Sequence, residues 1–128
     1  MKTIMGMASM LVLASASAKD CDNPQTQLDM NDCAVMEYQR VDSELNAVYA
    51  EYRKRLSPSQ AQQLKAAEVA WIKFRDASCI FETSEVEGGS IHPLVYHDCL
   101  STKTRERIAA LKALASCKEG DPSCPEPN

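Results

Sequence analysis

The sequence predicts an all-α protein: a small disulfide-stapled bundle of three main helices, in which a long helical hairpin is joined by a third helix. Three observations predict it. Apolar residues recur at helical spacing through three long segments. Serine–proline and glycine–glycine punctuation separates those segments. Six cysteines follow an export-type leader, and no alternating apolar run is long enough for a strand.

Residues 1–18 read as a signal peptide. Lys2 is the only charge there, Ile4 to Leu13 is largely apolar, and Ala14-Ser15-Ala16-Ser17-Ala18 offers the small residues a signal peptidase needs. An apolar core of about 7–15 residues is too short to cross a bilayer. Ala18-Lys19-Asp20 precedes Cys21 and is not a lipid-attachment box, so a soluble periplasmic or secreted product is expected. Cleavage near Ala18 leaves 110 of the 128 residues, enough for one domain, 19–116, with a tail over 117–128.

The first helix is expected to start at Thr26-Gln27-Leu28-Asp29, a hydroxyl cap with an acid in the first turn, and to run to about Leu56. Ala34, Val41, Leu45, Val48 and Tyr52 form its apolar seam. Ser57-Pro58-Ser59-Gln60 opens the second helix with a capping serine, a proline at the first helical position and a glutamine able to close the box. Leu64, Ala67, Trp71, Phe74, Ser78 and Phe81 are read as its inward face, Trp71 and Phe74 as core, and Gly88-Gly89 as its end. The third helix begins between Pro93 and Asp98 and turns Leu100, Thr104, Ile108, Leu111 and Ala115 inward. Beyond Cys117 the proline-rich polar sequence reads as a disordered tail with one disulfide-closed loop.

Cysteine usage and charge narrow the chemistry. In an oxidising compartment six cysteines form disulfides, and sequence alone allows 15 connectivities. Proximity in the chain suggests Cys21–Cys33, Cys79–Cys99 and Cys117–Cys124, each closing a loop worth roughly 2–3 kcal/mol. Without Lys2 the basic residues number 13 against 18 acidic ones, a net charge of −5. That balance disfavours nucleic acid and suits a cationic partner.

A polar stripe borders the first helix's seam. At 100° per residue Asn31, Tyr38, Asp42 and Tyr49 fall within about 20° of one direction, and Asn46 stands about 40° further round. Half-buried amides and carboxylates need partners. Arg75 and Arg107 are the candidates for Asp42, through a guanidinium–carboxylate contact that would set helix register. The stripe is read as a structural network rather than a catalytic groove. His92 and His97 match no zinc-helix spacing. Serine-nucleophile, phosphate-loop and Cys–His arrangements are absent, and cross-linked cysteines supply no thiolate. A non-enzymatic protein without metal or cofactor is expected.

Thr26-Gln27-x-x-Met30-Asn31-x-Cys33-Ala34, followed by Tyr38, Asp42, Leu45-Asn46 and Tyr49, resembles the opening signature of the LprI-like family of exported bacterial proteins. Ala70-Trp71-x-x-Phe74-Arg75-Asp76-x-x-Cys79 is similar to its second signature. Gly88-Gly89-Ser90 and Cys99-Leu100 with Thr104, Arg107 and Leu111 are similar to its third. The resemblance spans about Cys21 to Leu114. It implies a small helical, disulfide-bearing envelope domain in a family named for a lysozyme-inhibiting lipoprotein. The chain departs from the pattern at Glu68, where the family often has glutamine. It also lacks the namesake's lipid anchor and carries Cys117 and Cys124 outside the signature. The resemblance implies a lysozyme-type muramidase, or another cationic envelope protein, as partner. Gly88, Gly89, Ser90, Ile91 and His92 are the candidate contact loop, since glycines permit close approach and Ser90 or His92 can hydrogen-bond a carboxylate. The alternative is a periplasmic immunity, assembly or stress module that does not inhibit lysozyme.

Overall fold

The structure, a computed structural model, describes residues 19–118 and 120–125. The expected signal peptide over 1–18 lies outside these residues, as does the end of the expected tail, 126–128. Three helices make the fold, in the order α1 (Gln27–Arg53), α2 (Pro58–Glu82) and α3 (His92–Ala115), with a 3-10 turn at Ser84–Val86 between the last two. Among the described residues there is no strand, and no helix is long and apolar enough to cross a membrane.

Local chemistry sets the helix starts. Thr26 caps α1: its hydroxyl accepts from the Asp29 amide at 3.0 Å, and the Asp29 carboxylate accepts from the Thr26 amide at 3.2 Å. Ser57 and Gln60 make the same reciprocal pair at the head of α2, with Pro58 in the first turn. α1 stops at Arg53, short of the expected Leu56, because the chain tightens into i→i+3 bonds from the Arg55 and Leu56 amides to the carbonyls of Tyr52 and Arg53. α2 stops at Glu82, well before the glycine pair. The Thr83 hydroxyl donates to the Cys79 carbonyl at 2.7 Å, and the 3-10 turn takes over. Gly88 then adopts a φ of +77°, a conformation a side chain would strain. α3 starts at His92, one residue ahead of its proline.

α1 and α3 make the closest-packed pair. Val41, Leu45 and Tyr52 on α1 meet Ile108 and Leu111 on α3, with Val48, Leu114 and Ala115 around them. α2 lies over this pair through a different kind of surface. Its buried residues are Glu68, Arg75 and Cys79, with Leu64 and Trp71 half-buried beside them. The expected inward face is therefore corrected: Ala67, Phe74 and Phe81 point to solvent, Phe74 and Phe81 being 65% and 79% exposed. The helix is rotated because Glu68 and Arg75 find charged partners on its own surface and on α1 and α3, and ion-paired groups occupy the layer that the apolar pattern assigned to Phe74 and Phe81.

Ion pairs brace the outside of the α1–α3 seam. Glu37 accepts from Arg40 Nε and Nη2 at 2.9 and 2.8 Å and from Arg105 across the seam. The Arg40 hydrogen bonds, reinforced by Arg105, hold the Glu37 carboxyl down at about 2 from an ordinary 4.5. A depressed carboxylate contributes stability above its unfolded pKa and loses it as pH falls through the folded value. Urea midpoints should thus hold between pH 7 and about 4.5, then fall toward pH 2. Glu37→Gln should flatten part of that fall; equal acid slopes for the two proteins would refute the assignment.

Candidate functional site

Two polar regions result from this packing. The first is the layer between α2 and the α1–α3 pair. Arg75 is its centre: Nε donates to Asp76 Oδ1 at 2.9 Å, and Nη1 lies 3.4 Å from both Asp42 Oδ1 and Thr104 Oγ1. Its guanidinium sits 5.3 Å from the ring centroids of both Tyr38 and Trp71. Burial alone would lower the Arg75 pKa, but Asp76, Tyr38 and Asp42 raise it on balance, so the group stays charged. Burial raises the Tyr38 phenol, so this group is neutral at physiological pH.

Arg107 takes a different partner from the one expected. Its Nε and Nη2 donate to Glu68 Oε2 at 2.9 and 2.8 Å, and its guanidinium lies 5.7 Å from the Trp71 ring. Trp71 is thus flanked by two cations. Sequence reasoning gave both arginines to Asp42 and treated Glu68 only as a departure from a family pattern. The available signal was spacing, since Glu68, Trp71 and Arg75 share one helical face. Asn31 leaves the layer too: it accepts from Gln27 at 2.8 Å and donates to the Ser90 carbonyl at 2.8 Å. Asn46 is exposed. The layer offers neither an exposed nucleophile nor paired acids around a cleft, and its geometry is that of a helix-to-helix clamp.

The second region is the turn between α2 and α3. Cys79–Cys99 closes its base with a Cα–Cα distance of 5.8 Å. Cys21–Cys33 joins the chain ahead of α1 to that helix, and Cys117–Cys124 closes a loop after α3. No free cysteine remains among the described residues. Gly88, Gly89, Ser90 and Ile91 are exposed, with Glu85 and Glu87 exposed just before them. Short backbone bonds fold the turn on itself, from the Gly89 amide to Val86 and from the His92 amide to Gly89. His92 differs from its neighbours. It is half-buried at the head of α3 and stacks on Tyr96 at 5.6 Å. His97 Nδ1 lies 2.7 Å from the Pro93 carbonyl, which selects the Nδ1–H tautomer, and its ring meets Tyr38 at 5.9 Å. Both histidines are committed to packing, and among the described residues no group of three His, Cys, Asp or Glu side chains is placed to hold a metal ion.

A family model described as lysozyme inhibitor LprI matches residues 18–111. An uncharacterized protein of Rhizobium meliloti (strain 1021) is 35% identical over 113 residues, covering 78% of this chain and 81% of that protein. The crystal structure of a DUF1311 family protein from Pseudomonas putida KT2440 superposes with a TM-score of 0.67 at 27% identity, covering 75% of this chain and all of the other. The matched span takes in all of α1, α2 and the turn, and most of α3, with the arginine-centred layer between them. This chain therefore belongs to the LprI family.

Proposed function

We propose that the chain is an exported, non-enzymatic binding protein that uses the turn between α2 and α3 to dock on a lysozyme-type muramidase and inhibit it. One observation carries this reading: the exposed turn at Gly88–Ile91 is pinned from three sides. Cys79–Cys99 closes its base, Asn31 holds the Ser90 carbonyl, and His92 is packed against Tyr96. A pinned turn loses little conformational freedom on binding, which favours an inhibitor's fit into a cleft. Glu85 and Glu87 add negative charge beside it, complementing a cationic enzyme and speeding encounter at low salt. The family description supports the choice of partner. Three disulfides support an oxidising compartment.

The test is the clearing rate of cell-wall suspensions by lysozymes of several classes, with and without the purified protein. Slowing at micromolar stoichiometric excess is expected. Glu87→Lys should weaken inhibition, and added salt should narrow the gap between variant and wild type. No slowing in any class refutes the reading. Affinity capture of a different periplasmic protein in stoichiometric amount would then favour the non-inhibitory module.

A further inference from the structure

A cleft of about 200 Å³ lies between α2 and α3. Trp71 and Phe74 line it from α2, and Lys103, Glu106, Arg107 and Ala110 line it from α3. Steps of three and four residues bring each set onto one side of its helix. A core position for Phe74 would have closed this space; instead its ring is 65% exposed. Arg75 and Arg107 already lie 5.3 and 5.7 Å from the Trp71 ring centroid, so Phe74 is the less encumbered aromatic of the two. Charge decides which chemistry fits beside it. Lys103 Nζ is 2.8 Å from Glu82 Oε1, and Arg107 Nη2 is 2.8 Å from Glu68 Oε2. An anion would have to compete with a carboxylate at each cation. Glu106 makes no ion pair among the described residues, but a cation drawn to it would meet Lys103 and Arg107 within one turn of α3. A neutral ligand avoids both penalties.

We propose that this cleft is a subsite for one neutral pyranose ring of a saccharide. Glu106 accepts hydrogen bonds, and the ammonium and guanidinium groups donate beyond their ion pairs. The negative face of an aromatic ring attracts C–H groups. A pyranose carries the complementary set, with hydroxyls around its rim and C–H groups on its faces. The cleft suits a fragment of that size, since pockets for drug-sized ligands begin at roughly 300 Å³. Lys103 and Glu106 also line an adjoining hollow of about 470 Å³, with Asp98 and Thr102 on its α3 wall and Glu82 on its α2 wall. A second ring linked to the first enters there, so a short chain binds better than a single sugar.

Trp71 is the single tryptophan of the chain, so its emission reports on this cleft, and amide NMR shifts at Phe74 and Glu106 give a parallel reading. The probes are N-acetylglucosamine, chitotriose and maltotriose, with inorganic phosphate as the anionic control. No lysozyme is present, so the result is independent of inhibition. At least one trisaccharide should produce a saturable shift with a dissociation constant of about 1 mM, since a small open cleft holds few ligand atoms. Phe74→Ala should weaken binding about tenfold through loss of the aromatic contact, and Glu106→Ala about fivefold through loss of a hydrogen-bond acceptor. Thermal melts of both variants should be unchanged, because both side chains are exposed. Ile80→Ala removes an exposed side chain outside the cleft and should leave the affinity as it was. No saturable shift with any sugar overturns the proposal, as does a shift that survives Phe74→Ala or one that phosphate reproduces. Equal affinity for N-acetylglucosamine and chitotriose overturns the extension into the adjoining hollow.

Discussion

Arg107→Met should lower the folding stability of the domain by about 3 kcal/mol, because it leaves the Glu68 carboxylate buried without its cation. Glu68 is 7% exposed. One of its oxygens accepts both nitrogens of Arg107 at 2.9 and 2.8 Å, and the other, Oε1, has no hydrogen-bond partner. All the compensation for burying this charge therefore comes through one guanidinium. Methionine replaces the arginine stem with a similar apolar volume, so packing against Trp71 largely survives and the stranded charge dominates the loss. Glu68→Gln in the same background should recover about half of it, because a neutral amide costs less to bury than an unpaired carboxylate. The check is a double-mutant cycle of urea midpoints. Additive single effects would show that the pair is not coupled. The exposed Lys112–Glu44 pair, 3.3 Å apart, supplies the contrast: Lys112→Met should cost under about 1 kcal/mol.

Removing the Cys79–Cys99 bond with paired alanines should cost about 3 kcal/mol, the loop-closure value for a cross-link spanning 20 residues. The loss should be local as well as global. This bond holds the last turns of α2 against α3, and the exposed turn hangs from it. Hydrogen exchange at the Gly89 and His92 amides, which donate within the turn, should quicken in the variant under conditions where the Leu45 and Leu111 amides stay protected. Removing Cys117–Cys124 should leave those turn amides unchanged. Equal acceleration in both variants would mean that the turn is held by its own hydrogen bonds and not by the bond at its base. The inhibition assay gives a second reading, since a turn freed at its base should bind more weakly than a pinned one.

The beginnings of α1 and α2 were legible because capping chemistry is local, whereas α3 starts at His92 without a side-chain cap. Thr26 with Asp29 and Ser57 with Gln60 declare themselves within four residues. The seams of α1 and α3 were legible because they bury against each other, so apolar spacing and burial coincide at Val41, Leu45, Ile108 and Leu111. α2 defeated the same rule. Its buried stripe holds a glutamate and an arginine, which apolar periodicity sets outside, while Phe74 and Phe81 were drawn inward by hydrophobicity alone. The end of α2 failed for a related reason. Gly88-Gly89 marked a real reversal, but the helix had already ended through the Thr83 side chain, a signal shared by many threonines inside helices. Pairing Asp42 with Arg75 needed only helical geometry, whereas Arg107 could be assigned only once the rotation of α2 was known.

The close packing of α1 against α3 has a consequence for how the chain acquires its shape. The two helices that share the apolar core are the first and last elements of the domain, with α2 intervening in the chain. A polypeptide that emerges N-terminus first can form a capped α1 early, yet has no α3 for Val41 and Leu45 to pack against until residues 92–115 have followed. Contacts that distant in sequence close slowly, since loop entropy is spent before burial returns it. Until then the seam of α1 stays open to water and to other chains, so α3, made after α1 and α2, decides whether α1 is stable.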